Sequence, residues 1–495
     1  MTQPETTSRT AWPGATVLAI LLAITALRLL AAACIPLTED EAYYRLWALH
    51  PAFGYYDHPP MIAWWIHAGM AVAGDSPLGV RLIPCLSCLV TSLLAFDLAR
   101  RLGWDETVAG RAAVWCNATL LIGAGGLLAI PDAASVPFWS LTLWCLARTR
   151  GPGAPGWWAA AGAAAGLACL SKYSALFLAP GAVLWLMLQP GGLAALRRPW
   201  PWLAALIAAA IFGLNVAWNA EHHWVSFAKQ FGRAAPGHFA PRFELELLAG
   251  QLLLLNPFVA AFALRALPKW RPKEAGDLSL VLLTSAPFIA YLALHALHDR
   301  VQAHWPVPVY PALAIAAAAM AGGPLGAGWR AVRALAAPFG LGVAALGLAH
   351  AALPATDLSK GDPAEQLRDW PGFAGRIEAS RKATGAAWVG TFSYGVTSQL
   401  LAQHAIQAPV LELIERDRYA MDPPGRALDL SRPGLVIDLE RRITPADLLT
   451  CFTAARPLAP VLRDGGLGHN SRYQMFLVTG PRRELVGQGC RGEPR

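Results

Sequence analysis

The sequence predicts a polytopic α-helical membrane protein of about eleven transmembrane helices, followed by a small C-terminal α/β domain. Three observations carry that prediction. Of 495 residues, 55% are hydrophobic and only 15% charged, where soluble domains carry about 25% charged residues. Runs of about 20 apolar residues, enough to cross the hydrocarbon of a bilayer, recur as far as Leu353. Beyond it the composition turns charged, and short β-like runs alternate with helical patterns.

Spans are expected near 13–35, 80–99, 108–129, 133–148, 156–171, 173–189, 202–219, 246–264, 278–297, 305–322 and 331–353. The first is long enough to cross, and "AAACIPLTED" is a poor cleavage site, so a transmembrane helix is expected there rather than a signal peptide. The Ala-rich stretches "AALIAAAIFG" and "AIAAAAMAGG" suit close helix packing through small side chains. No internal repeat is visible.

Charge sets the expected orientation. A balance of +8 calls for no nucleic acid, because Lys and Arg in a membrane protein mostly hold loops on the cytoplasmic side. With the N-terminus inside, thirteen basic residues between Arg9 and Arg333, Lys273 among them, lie on the cytoplasmic side. Seven between Arg45 and Arg300, Arg233 among them, lie in short outer loops. The same assignment sends 36–60, 131–133, 171–173, 220–244 and 297–304 outward, so the chemistry-bearing residues collect on one face. Domain boundaries follow: a membrane domain, 1–353, with its first outer loop at 36–78, and an extracytoplasmic domain, 354–495. In the latter, "AAWVGTF" and "GLVIDL" predict strands and "FAGRIEASRKATG" a helix.

Cys34, Cys85, Cys88, Cys116, Cys145 and Cys169 lie in apolar stretches and fit small core residues. Cys85 and Cys88 form a C-x-x-C with no second pair, which is weak metal evidence. Cys451 and Cys490 are able to form a disulfide if their region is extracytoplasmic.

The first outer loop, "PLTEDEAYYRLWALHPAFGYYDHPPMIAWW", is unusually polar for its place. Thr38 and Glu41 fit a capping box, and Glu39, Asp40 and Glu41 suit the positive end of the helix dipole. The following "AYYRLWALH" suits a helix lying along the membrane interface. Capping leaves Tyr55, Tyr56, Asp57 and His58 unexplained. Pro59 and Pro60 stiffen the backbone beside them, so two acidic clusters in one loop point to a site.

The order "DEAYY…GYYDHPP", "PDA", "SKYSALFL" and "HWPVPVYPAL" resembles bacterial glycosyltransferases related to the protein O-mannosyltransferases. It is also similar to the aminoarabinose and galacturonic-acid transferases that modify lipid A. The resemblance runs over roughly the first 320 residues. It implies the GT-C architecture, with a catalytic acid in the first outer loop and a polyprenyl-phosphate-linked sugar as donor. The implied acceptor is a lipid or glycan of the envelope, with a protein less favoured. The implied location is the bacterial inner membrane, in contact with its lipids.

The resemblance maps the catalytic acid onto Asp40. A sugar on a lipid phosphate already has a good leaving group, so the acceptor hydroxyl needs one general base on the opposite face. Asp40 and Glu41 point about 100° apart on a helix and do not form a facing glycosidase pair. Glu41, Tyr44, Tyr56, Asp57, His58 and Asp132 are expected to orient acceptor or sugar, with Glu41 and Asp132 equally suited to capping helices. His58 stands where some relatives carry Lys, and this departure leaves its charge and its role pH-dependent. Lys172, in a short outer turn, is expected to bind the donor phosphate with Arg81, Arg300 and His304; snorkelling to lipid headgroups is the plainer alternative. His222 and His223 beside Glu221 lack spaced partners for a metal and fit a polar loop, while relatives differ over a divalent ion.

Two other classes compete. A transporter or flippase would place ionisable residues near the midplane, within repeated halves, and Arg28 and Arg111 lie inside expected spans. An assembly scaffold would use the outer domain to bind partners, leaving the loop acids without a role.

Overall fold

The computed structural model describes residues 14–151, 153–232, 238–272, 276–353, 362–421, 428–464, 471–482 and 490. Arg9, Arg233, Lys273 and the expected domain start at 354 lie outside the described residues. Spatially the chain divides into one unit of Met1–Ala32, His58–Trp65 and Arg81–Leu348 and a second of Ala33–Asp57, Ile66–Val80 and Ala349–Arg495. The chain thus changes units between Asp57 and His58, inside the first outer loop.

The first unit is helical. Among the described residues, five helices are long and apolar enough to cross a bilayer: Ala15–Cys34, Pro77–Arg101, Pro199–Glu221, Ser279–Ala296 and Ala327–Ala352. A sixth crossing is available if Arg242–Leu254 and Pro257–Lys269 count as one span, bent by 109°. Pro257 cannot continue the preceding helix, and Asn256 turns the chain at φ 73° with its side chain accepting from Phe258 N. The expected spans near 108–129, 133–148, 173–189 and 305–322 appear as shorter helices, Glu106–Ala118, Pro131–Leu146, Leu178–Leu188 and Tyr310–Met320. Breaks cause the shortening. Thr119 turns extended after Ala118, and Lys172 does the same after Ala154–Ser171, at φ −158°. Small residues let these helices approach closely, as expected. A methyl on Gly162 would strike the backbone of Ala204, and one on Gly181 that of Thr284. The core includes Phe96, Trp139, Phe262 and Tyr310. Five of the six apolar-stretch cysteines are buried thiols; Cys34, at a helix end, is exposed instead.

The second unit carries a six-stranded mixed sheet. Its strands are β1 (Trp388–Thr391), β2 (Val410–Glu412), β3 (Gly434–Leu439), β4 (Phe452–Pro457), β5 (Val461–Leu462) and β6 (Arg472–Pro481), in the order β2-β1-β3-β6-β4 with β5 also on β6. β1 runs parallel to β2 and β3, and β6 runs antiparallel to β3, β4 and β5. Successive β3 side chains enter opposite faces: Leu435 and Ile437 pack with Trp370, Phe373 and Tyr473, while Val436 packs with Trp388, Phe452 and Phe476. Burial on both faces is why "GLVIDL" is apolar without alternation. The helix Trp370–Thr384 stops at Gly385, in the left-handed region at φ 69°. Cys451 and Cys490 are joined by a disulfide, with Cα atoms 5.5 Å apart.

The helix Glu39–Leu49 belongs to this second unit. It does not lie along an interface as expected: Glu41 through Ala48 are all buried. Ala42, Tyr43, Leu46 and Trp47 form an apolar face about 140° wide, and the side carrying Glu41 and Arg45 is buried as well. Gln399 donates to Leu37 O at 2.8 Å, and the Tyr43 ring lies 5.3 Å from Tyr394 and 5.6 Å from Tyr419.

Candidate functional site

Two polar clusters hold most of the residues singled out above, one in each unit. In the first unit, Pro131 opens the helix Pro131–Leu146 and sets Asp132 in its first turn. The extended backbone of Lys172 carries its side chain across to Asp132, with Nζ 2.6 Å from Oδ1. His304 Nε2 stands 3.7 Å from the other carboxylate oxygen. Asp132 is 5% exposed, and the basic groups facing it are Lys172, His304 and His58. A lone ammonium at this depth would be costly; the structure supplies its counter-charge. His58 and Lys172 line a cavity of about 170 Å³ walled by Tyr173, Phe177, Phe288 and Trp305. Lys172 Nζ lies 6.0 Å from the Trp305 ring centre. Asp132, expected beside acceptor or sugar, is thus the partner of the proposed phosphate-binding lysine.

In the second unit, the capping box is present. Thr38 Oγ1 accepts from Glu41 N at 3.2 Å, and Glu41 accepts from Thr38 N at 3.0 Å. Glu41 is therefore committed to its helix, whereas Asp40 accepts from the Tyr394 hydroxyl at 2.7 Å. Asp57 is buried; it accepts from the Tyr43 hydroxyl at 3.0 Å and pairs with Arg418. Arg418 Nε also pairs with Glu415 at 2.6 Å. Burial works against the Arg418 charge, but Asp57, Tyr43 and Glu415 more than offset it and raise its pKa above the ordinary arginine value. Burial pushes the Tyr394 phenol well up, and the Asp40 charge adds to the shift. Tyr44 is packed in an aromatic cluster 4.8 Å from Trp47, and Tyr56 lies under the Arg418 guanidinium at 5.2 Å.

Two expected members stand away from the Lys172 cavity. Arg300 pairs with Glu246 at 2.8 Å, with 61% of its side chain exposed, because an exposed loop brings it beside the helix Arg242–Leu254. Arg81 is fully buried and donates to Ala32 O at 3.3 Å, a carbonyl in the last turn of Ala15–Cys34 that has no acceptor role within its helix. Neither lines the Lys172 cavity. Sequence reasoning missed Tyr394 and Arg418, which stand 354 and 361 residues from the acids they hold. His222 stacks on Trp218 with ring centres 4.0 Å apart. Among the described residues no group of three or more His, Cys, Asp or Glu is arranged to hold a metal ion.

Residues 57–218 match a family model described as dolichyl-phosphate-mannose-protein mannosyltransferase. The lipid A galacturonosyltransferase RgtD of Rhizobium johnstonii is 28% identical over 282 residues, covering 55% of this chain and 58% of that protein. The match thus spans little more than half of the curated relative. Among solved structures, ArnT from Cupriavidus metallidurans bound to undecaprenyl phosphate superposes with a TM-score of 0.64 at 15% identity, covering 94% of this chain and 98% of that one. The Archaeoglobus fulgidus oligosaccharyltransferase in complex with Zn and sulfate follows at 0.51 and 14% identity, covering 79% and 61%. The resemblance read from the loop motifs is borne out: residues 57–218 match the mannosyltransferase family model, the chain is similar to a lipid A galacturonosyltransferase, and its fold of apolar helices with a mixed-sheet C-terminal domain is ArnT-like.

Proposed function

We propose that this chain, as a GT-C-type relative of those enzymes, transfers a sugar from a polyprenyl-phosphate donor to a lipid A or other envelope glycan acceptor, with inversion. The observation that carries the reading is the Lys172 cluster. One buried carboxylate faces three basic groups beside an aromatic-walled cavity. With His304 and His58 protonated, such a site carries positive charge beyond what Asp132 neutralises, and pre-placed charge stabilises the anion that develops on bond breaking. The acceptor hydroxyl attacks the anomeric carbon from the face opposite the phosphate. Its oxygen forms the new glycosidic bond, Asp40 takes its proton, and the bond from the anomeric carbon to the phosphate oxygen breaks, releasing polyprenyl phosphate. Where the acceptor is itself a phosphate, Asp40 positions it instead.

The same proposal includes eleven passes through the bacterial inner membrane, a cytoplasmic N-terminus and an extracytoplasmic C-terminal domain. Its supports are the bias of basic residues and the Cys451–Cys490 disulfide, a bond that persists in oxidising compartments. A transporter of lipid-linked sugar is the second reading, and the intramembrane arginines are what favoured it. Arg28 donates through Nη2 to Ile122 O at 2.8 Å and to Asn117, while its Nε and Nη1 are buried without a hydrogen-bond partner; Arg111 donates to Ala318 O at 3.3 Å.

The test is to incubate the purified chain with polyprenyl-phosphate-linked sugars and lipid A, and to weigh the products. A sugar increment on lipid A, with release of polyprenyl phosphate, is expected. Movement of intact donor across proteoliposomes without any such increment would favour the transporter.

A further inference from the structure

Among the side chains that tie the loop carrying the proposed base to the C-terminal part of its own unit, two reach its acids. Tyr394 opens the helix Tyr394–Ala402 directly after β1, and its hydroxyl donates to Asp40 Oδ1 at 2.7 Å. Arg418, in the short turn Arg416–Tyr419 beyond β2, pairs with Asp57 and Glu415. Its guanidinium lies 4.6 Å from the Tyr394 ring centre and 5.2 Å from that of Tyr56. One cation therefore braces both the second loop acid and the ring that holds the first.

We infer that Tyr394 and Arg418 are positioning residues for the transfer reaction: Tyr394 fixes the Asp40 carboxylate through Oδ1, and Arg418 fixes Tyr394 and the Asp57 end of the loop. The inference rests on Asp40 being the base. A free aspartate samples several rotamers, whereas a base must be held close to one productive geometry by neighbours that are themselves locked. Helix capping does not account for the contact, because Thr38 and Glu41 already complete the cap without Asp40. Tyr394 is suited to the task because burial and the Asp40 charge keep its phenol protonated, and so a donor. Arg418 is suited because a planar guanidinium binds two carboxylates and stacks on rings at once, which a lysine cannot reproduce.

The experiment measures kcat, donor KM, acceptor KM and thermal midpoint for the full-length protein and for Tyr394→Phe, Arg418→Lys, Arg418→Ala and Asp40→Asn. Phe keeps the ring packing and loses only the hydroxyl. Tyr394→Phe is expected to lower kcat about tenfold, the scale of one hydrogen bond to a charged group, with both KM values and the midpoint unchanged. Arg418→Lys is expected to retain more kcat than Arg418→Ala. Wild-type kcat in Tyr394→Phe, or a loss matched by a lowered midpoint and raised KM values, would overturn the positioning role. These outcomes are separable from failure of the base assignment, which Asp40→Asn alone decides: a fully active Asp40→Asn removes the base, while an inactive Asp40→Asn beside a normal Tyr394→Phe removes only the present inference.

Discussion

Around Lys172, one carboxylate faces a lysine and two histidines, and the wall beside them is aromatic. Around Asp40 the setting differs: Asp57 and Glu415 both pair with Arg418, and Asp40 accepts from a phenol hydroxyl. The first environment can accept an additional anion without leaving like charges opposed. On the reading proposed above, the first would bind the donor phosphate and the second, where a phenol hydroxyl holds Asp40, would supply the base.

That comparison can be broken at several points. The largest effect is expected from Asp40→Asn: kcat for transfer should fall about a thousandfold, within the range removed with a general base, while the protein stays folded. Residual activity close to wild type would dissolve the contrast. Lys172→Ala should act on the other side, raising donor KM about 30-fold, the scale of charge-assisted bonds to phosphate; an unchanged donor KM and rate would mean that the ammonium serves only Asp132.

The next effect concerns stability of the acid-rich unit. Burial raises Glu412 to about 7 and Asp438 to about 6. The folded state therefore holds protons that the unfolded state has released above the ordinary carboxylate range. Stability from these groups is present at low pH and is lost as pH rises toward about 7, by on the order of 1–3 kcal/mol. Glu412→Gln should flatten the fall of thermal midpoint between pH 5 and 8, and an equally steep fall in that variant would refute the assignment. The smallest effect is expected from Arg300→Ala. An exposed ion pair contributes little because solvent screens it, and Arg300 lies outside both clusters, so transfer should stay within about twofold of wild type in the same kinetic assay.

How far the sequence reached follows from the range of each interaction. The long apolar helices were legible because crossing a bilayer needs a continuous run. The capping box was legible because Thr38 and Glu41 are three residues apart, and β3 because both its faces are buried. The breaks at Asn256 and Lys172 were harder, since each depends on one residue's backbone within an apolar stretch. β6 went unnoticed, though it is the strand on which β3, β4 and β5 pair. Of the site, Lys172, Asp132, His304 and His58 were picked singly, but only the fold showed that they face one another. The expected place of Arg300 failed because Glu246, on a separate helix, is nearer to it. Tyr394 and Arg418 left no local signal at all.

The division of labour between the two clusters is tested most directly by the binding of undecaprenyl phosphate to purified Asp40→Asn and Lys172→Ala, measured side by side against wild type. The account predicts that Asp40→Asn binds as wild type does while Lys172→Ala binds at least tenfold more weakly. Tight binding by Lys172→Ala together with loss of binding in Asp40→Asn would contradict it.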